Sequence, residues 1–420
     1  MSEESDSEAS RELGFLSLLA LGINGIVGVG IFFTPNLVAS VVPGRAGVLA
    51  YLLTLAALLP VALTYARLGA RFDRDGGPYV WAQAALGEKA AFLVGVAAYA
   101  SAVLSTSAVF AGLGEYTAPL LGLGAHKQLF AVGSALVLAA IVLSGLKPSA
   151  WVWSSLTVLK LLPLFALVLV FVFGAHTAFQ TIGPARDFSW SRAVLLIVFP
   201  MQGFEIVPVP GAHVRSAARA IPLATVGSLV LSALLYALLH WACVASVPTL
   251  ASEQTPLIAA ASALGGARLA SVVSAGTNVS ALGIAFGMLA MTPRYLAAVE
   301  ASGQENVLLG LETKHHVPRR ALFVTLVLVV ILVSVGALGK LFVLSSVAVL
   351  FQYAVSVLSL CVLSFRRKCG LSPRDALPAP FALIAMGVIA RAVERAEFAV
   401  MAGIVVLALL LWSVRARLFS

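Results

Sequence analysis

Lys160 stands about nine residues inside an apolar run, roughly 13 Å deep at about 1.5 Å of helical rise per residue. That is too deep for its ammonium to reach water by snorkelling, so an ionisable group there reads as functional, against the alternative of a lysine at the end of a misplaced span. Glu205 lies at comparable depth in another run and reads either as a proton carrier or as an acceptor bridging two helices. Two other places offer backbone chemistry. Gly22, Gly25, Gly28 and Gly30 cluster in the first apolar run, and Pro200, Gly203, Pro208 and Pro210 in the sixth. Glycine costs about 1 kcal/mol in a helix interior and proline about 3, so both clusters predict helices broken near mid-membrane, the alternative being close packing and ordinary kinks. Around Gly28, Val29 and Gly30, unwinding frees N–H groups for an anion, helped by the positive end of a half-helix starting near Ile31. Around Met201, Gln202 and Gly203 it frees carbonyl oxygens for an ammonium group. Together the two suit a zwitterion. Phe199, just before the second break, reads as a lid over bound substrate or as packing, and His240 as a hydrogen-bonded packing residue rather than a proton relay.

These positions need a scaffold, and composition says what kind. The chain has 420 residues, 60% hydrophobic and only 11% charged, with a mean hydropathy of +1.02. It cannot hide that apolar surface in one aqueous core, and runs of about 20 apolar residues, the length that about 30 Å of hydrocarbon requires, recur throughout. Their boundaries predict spans at 14–40, 46–69, 91–113, 127–145, 151–174, 192–211, 222–247, 268–299, 320–337, 341–364, 378–393 and 397–414. The eleventh is the weakest, being short and followed by Arg391, Glu394, Arg395 and Glu397. The formal charge of +9 sits in connectors, not on one face with interleaved aromatics, which argues against nucleic acid. With twelve spans and an inside N-terminus, 18 of the 27 Lys and Arg fall on cytoplasmic segments and 8 on external ones, Lys160 being the remaining one. That bias places both termini in the cytoplasm. Residues 1–12 are acidic and Ser-rich, a solvated tail and not the basic start of a cleaved signal peptide.

Other chemistries find no support. The six His residues are scattered, mostly in connectors, and Cys243, Cys361 and Cys369 suggest neither a disulfide framework nor metal ligation. No strand precedes Gly25, Gly28 and Gly30 and no acidic partner follows in a βαβ unit, so a nucleotide loop is discarded. The expectation is no enzyme, no catalytic residue, no metal and no cofactor. Interrupted spans at matching positions, five helices apart, point instead to the binding site of an inverted-repeat transporter.

Four stretches carry a resemblance. Gly28-Val29-Gly30-Ile31-Phe32 with Pro35 resembles the Gly-Ser-Gly-Ile-Phe-x-x-Pro break of the amino acid–polyamine–organocation permeases. Leu49-Ala50-Tyr51, Tyr65-Ala66-Arg67-Leu68-Gly69 and Gly76-Gly77-Pro78-Tyr79 are similar to that family's second helix and the re-entrant loop after it. Leu156-Thr157-Val158-Leu159-Lys160-Leu161, and Gly203-Phe204-Glu205 followed by Ala220-Ile221-Pro222, resemble its fifth and sixth helices. In this order they cover nearly the whole chain.

The resemblance implies an all-α integral membrane protein of about twelve helices with a leucine-transporter-type 5+5 inverted repeat. On that reading residues 13–174 form the first repeat, 190–364 the second, and 376–420 two peripheral helices with a short cytoplasmic tail. It implies that a substrate carboxylate meets the N–H groups of Val29 and Gly30, and its ammonium the carbonyls of Ile26, Phe199 and Gln202. Phe199 matches the family's aromatic gate, and Lys160 a lysine that in some sodium-independent members occupies the place of a sodium ion. Its ammonium is expected to donate to the free carbonyls near Gly25 and Ile26, and Asn278 and Ser280 read either as its neighbours or as ordinary helix packing. Departures are Val29 where Ser is usual, Arg67 where Glu is usual, and Ala212-His213-Val214-Arg215-Ser216-Ala217 where Gly-Glu-Val-Lys-Asn-Pro is usual. The expected function is secondary active transport of an amino acid by alternating access in the inner (plasma) membrane, independent of sodium, with protons or by exchange. An amine or polyamine substrate and a non-transporting sensor are the alternatives.

Overall fold

The computed structural model of the chain describes residues 13–72, 77–144, 150–174, 188–210, 214–301 and 318–418, and among them all regular structure is helical. The first expected span is a broken pair, α1 (Phe15–Ile26) and α2 (Gly30–Val41), bent by 50° at the break. Next come α3 (Ala46–Gly69), a short α4 (Pro78–Leu86), α5 (Glu88–Leu120), α6 (Lys127–Leu143) and α7 (Ala150–Phe173). The second half holds α8 (Trp190–Met201), α9 (Ala217–Ser246), α10 (Pro256–Ala301), α11 (Arg319–Val335), α12 (Leu338–Phe365), α13 (Pro378–Ala390) and α14 (Arg395–Leu418). Gly266, at φ 68° and ψ −167°, kinks α10 into a short arm and a long helix.

Among the described residues seven helices are long and apolar enough to cross a membrane, eight when α1 and α2 count as one span. With 12, 17 and 13 residues, α8, α11 and α13 are shorter than the roughly 20 residues that a perpendicular crossing uses. Burial sorts the helices into layers. In their most apolar windows α5 and α12 are each 72% buried, whereas α14 is only 11% buried. The first two are interior pillars. α14 turns Phe398 and Leu410 outward, where hydrocarbon, not protein, must cover them.

The charges behind the eleventh span have a partner. α13 stops at Ala390, and Arg192 near the start of α8 grips Glu397 with two bonds, Nη1–Oε2 at 3.0 Å and Nη2–Oε1 at 2.9 Å, with Glu394 at 3.5 Å. Paired guanidinium and carboxylate groups tolerate this position where single charges would not. At the opposite end of the chain Leu13 and Val214 form an isolated parallel bridge, with the Arg215 N–H donating to the Leu13 carbonyl at 3.0 Å. It ties the start of α1 to the segment after the sixth expected span.

Candidate functional site

The two breaks touch, backbone to backbone. Gly203, just after α8, has φ +127° and ψ −24°, a region open only to glycine, and a Cβ built there would lie 2.3 Å from the Gly25 carbonyl carbon and 2.5 Å from the Ile26 nitrogen. Gly25 answers with its own lack of a side chain, its ideal Cβ falling 3.1 Å from the Gly203 oxygen. The sequence singled out both glycines as helix breakers. Their mutual contact brings the two broken segments together.

A broken helix leaves its last carbonyls without intrahelical donors. Side chains from distant helices supply them. Lys160 of α7, only 3% exposed, donates from Nζ to the Val27 oxygen at 2.7 Å and to the Asn24 oxygen at 2.8 Å. The expected acceptors were the carbonyls near Gly25 and Ile26. The difference is one of direction, because at the end of α1 the Ile26 oxygen already accepts from the Tyr236 hydroxyl of α9 at 2.8 Å, while Gly25 faces Gly203. On the far side of the gap α2 starts at Gly30, so the N–H groups of Gly30 and Ile31 lie in a first turn that offers no carbonyl four residues back. Val29, Ile31 and Met201 are buried beside them, and Gly28 faces Ile284, to whose Cδ1 an added Cβ would come within 3.2 Å.

On the α8 side, Phe199 lies flat on Phe342 of α12, centroids 4.0 Å apart and planes within 13°. Phe342 also meets Phe33 at 6.2 Å, and Phe33 meets Tyr116 edge-on at 4.6 Å. The lid candidate is thus the end of an aromatic stack joining α2, α5, α8 and α12. Beyond it Gln202 begins a polar row: the Ser345 hydroxyl donates to Gln202 Oε1 at 3.3 Å, and the hydroxyls of Ser345 and Ser105 lie 2.6 Å apart. Gln202 Nε2 has no protein partner among the described residues. Glu205 uses one carboxylate oxygen, Oε2, to accept from the Gly203 N–H at 2.7 Å and the Tyr353 hydroxyl at 3.1 Å, the geometry of an acceptor bridging the second break to α12.

Several expectations change. Gly30 is not open to a ligand on its Cα side, because an added Cβ would lie 2.7 Å from the Pro200 Cβ. Asn278 accepts from Thr117 and donates to the Ser274 oxygen at 2.8 Å, and the Ser280 hydroxyl has no partner among the described residues, so neither bonds to Lys160. His240 is not hydrogen-bonded packing: both ring nitrogens lack a partner among the described residues, and the ring packs against Tyr51, centroids 5.0 Å apart. Its Nε2 sits where a Cβ at Gly47 would be, at 2.3 Å. His213 and the tail at 1–12 lie outside the described residues. Phe342, Tyr236, Ser105, Ser345 and Tyr353 escaped sequence reading, since a single Tyr, Phe or Ser in an apolar helix carries no spacing signal. The adjacent hydroxyls of Ser105-Thr106-Ser107 and of Ser345-Ser346 were the available hints.

Residues 13–414 match the amino acid permease family. The chain belongs to that family. It is an amino acid permease of the amino acid–polyamine–organocation superfamily, a multi-pass membrane protein. Human cationic amino acid transporter 4 is 27% identical over 329 residues, covering 72% of this chain but only 52% of the human protein's length. An uncharacterized transporter of Mycobacterium tuberculosis is 29% identical over 357 residues, 83% of this chain and 79% of its own. The serine/threonine exchanger SteT of Bacillus subtilis is 27% identical over 304 residues, 69% of this chain and 68% of its own.

The Phe199 and Phe342 stack gives a first test on the permease. Phe199→Ala removes a large stacked ring and should lower transport more than Phe199→Trp, since burying and stacking an aromatic contributes about 3–5 kcal/mol against alanine. Equal uptake by all three proteins would return Phe199 to ordinary packing.

Proposed function

We propose that this permease moves an amino acid by alternating access, with the substrate held across the paired breaks. Its carboxylate is received by the N–H groups of Val29 and Gly30, and its ammonium by carbonyls among Ile26, Phe199 and Gln202, the Ile26 oxygen through the lone pair that Tyr236 leaves open, with Gly28, Ile31, Met201 and Gly203 shaping the backbone around it. The observation that carries this reading is the backbone contact of Gly203 with Gly25 and Ile26: it brings the anion-favouring start of one half-helix and the freed carbonyls of two others to one place. Lys160 takes the position a metal cation would otherwise fill, so transport is sodium-independent and coupled to protons or to exchange, with Glu205 bridging the second break. A non-transporting sensor would bind the same substrate without moving it.

The architecture we assign is twelve spans: α1 with α2, then α3, α5, α6 and α7 as the first repeat, the α8 segment with α9, α10, α11 and α12 as the second, and α13 and α14 peripheral. Both termini then lie in the cytoplasm of a cell whose plasma membrane holds the protein. Uptake of a panel of labelled amino acids into proteoliposomes tests the function; binding without accumulation for every substrate would favour the sensor. Single cysteines at positions 3 and 418 should resist a membrane-impermeant reagent in intact cells, and ready labelling at either would overturn the span count.

A further inference from the structure

Away from the breaks, three helix ends meet around a cavity of about 280 Å³ lined by Arg67, Ala70, Arg71, Ala218, Pro222 and Asp375. Arg67 is in the last turn of α3, Ala218 and Pro222 are in the first two turns of α9, and Asp375 lies in a short 3-10 turn, Pro373–Ala376, directly ahead of α13. The helix starts of α9 and α13 bring partial positive charge to the same place as the two guanidinium groups.

Among the described residues the positive charge here is not cancelled. Arg67 donates from Nη1 to the backbone carbonyl of Asp375 and, at 3.5 Å, to that of Arg374, both neutral acceptors that fix the guanidinium without neutralising it. Arg71 stands against Gly370, where an added Cβ would come within 3.1 Å of its Nη1. The one carboxylate among the described residues that line the cavity, Asp375, is occupied: its Oδ2 accepts from the Ser372 N–H and hydroxyl, both at 2.8 Å. Burial opposes its ionisation, but those two bonds and the charges of Arg67 and Arg71 outweigh it and hold the carboxyl below its usual range. Among the described residues two cations therefore face one committed anion. Arg366, Arg367 and Lys368 stand exposed on the connector that leads into this corner.

The surroundings say what sort of anion fits. Leu223, one residue after Pro222, is 62% exposed, and Leu377, two after Asp375, is 64% exposed. Both flank the cavity on helices whose outer faces meet hydrocarbon, so a guest lodged at the arginines has an apolar surface beside it for chains. The volume is at the lower edge of small-molecule pockets, which run from about 300 Å³, and has room for a phosphate and its glycerol.

We propose that this cavity binds the phosphate of an anionic phospholipid, Arg67 and Arg71 gripping the headgroup while its acyl chains lie along Leu223 and Leu377. Basic pockets between helices at a membrane face are the expected receptors for such headgroups. A lipid here staples α3, α9 and α13 at their ends, on the cytoplasmic side in the topology assigned above, and it does so whether or not the amino acid site is as described. A soluble phosphate shares the chemistry without the chains.

Thermal unfolding of the purified full chain in detergent, titrated with phosphatidylglycerol, phosphatidylcholine or inorganic phosphate, tests this. Phosphatidylglycerol should raise the midpoint while the other two leave it unmoved. Arg71→Gln should need about fivefold more phosphatidylglycerol for the same shift, and Arg67→Gln with Arg71→Gln roughly thirtyfold more, from the usual gain per basic residue near an anionic surface. Arg366→Gln with Arg367→Gln should respond like the wild type. Should the double cavity variant fail to fold, the exposed Arg71→Gln alone decides. An unchanged response in the cavity variants, or an equal loss in the connector variant, overturns the site; an equal shift with inorganic phosphate overturns the lipid.

Discussion

Lys160→Ala is expected to abolish the response of uptake to an inward proton gradient in proteoliposomes, while wild-type uptake rises with that gradient and ignores sodium. The side chain it removes is the one that holds the break in the first span. Its ammonium gives two charge-assisted bonds, at 2.7 and 2.8 Å, to the carbonyls of Val27 and Asn24. Such bonds contribute about 1.5–3 kcal/mol each, and a carbonyl left buried without a donor costs about 1–3 kcal/mol. A neutral amine keeps two donors, enough for both carbonyls, but both bonds lose their charge assistance, so proton release loosens the grip of α7 on α1. On the function proposed above, that difference between protonated and neutral Lys160 is the coupling element, because only a group that interacts differently with two states can bias them. Alanine fixes the protein in the ungripped form at every pH. Size-exclusion profile and amino acid binding of the variant separate loss of coupling from loss of fold. A sodium requirement in the wild type, or undiminished proton-driven accumulation in folded Lys160→Ala, would sink this mechanism and leave the family assignment untouched.

Gly203→Ala should be worse than almost any other single methyl added to the chain. At φ +127° an L side chain is strained by about 1–3 kcal/mol, and the added carbon meets three backbone atoms at 2.3, 2.5 and 2.6 Å. Backbone cannot step aside as a side-chain end can, so the two broken segments must separate and overpacking adds about 1–3 kcal/mol more. Substrate binding should disappear, with a lower unfolding midpoint. Gly227→Ala, on α9 away from the breaks, is the matched control. Its new carbon would meet only the Leu19 Cδ1, at 3.4 Å, an ordinary contact with the tip of a side chain. If Gly203→Ala binds as well as Gly227→Ala, the two breaks are neighbours without being a site.

Much of this arrangement was legible in the residues. Glycine and proline break helices by their covalent chemistry, so Gly25, Gly28, Pro200 and Gly203 marked both breaks wherever the helices happened to pack. A lysine in hydrocarbon must be explained by a partner, so Lys160 was conspicuous before its acceptors were known. What stayed hidden is everything decided by meeting across the bundle. Tyr236 lies 210 positions from the Ile26 carbonyl it caps, and nothing in its neighbours marks it off from any membrane tyrosine. Phe342 became the partner of Phe199 only through the packing of α8 on α12, and Ser105 met Ser345 across 240 positions. The carbonyls chosen by Lys160, those of Asn24 and Val27, each lie one residue outside Gly25 and Ile26 for a similar reason: the register of α7 against α1 is a tertiary quantity. The arginines at the end of α3 read as a topology signal, and their enclosure with Asp375 needed the fold of the connector before α13.

The close approach of Gly47 to His240 binds two positions that share no chemistry. Any larger residue at 47 collides with the imidazole, and any smaller residue at 240 leaves a void beside Tyr51 that an alanine at 47 would help fill. Natural drift can therefore change the pair only in step. Among related permeases a bulkier residue at the counterpart of 47 should keep company with a slimmer one at the counterpart of 240, and free assortment of the two across lineages would show that α3 and α9 can shift apart to accommodate either.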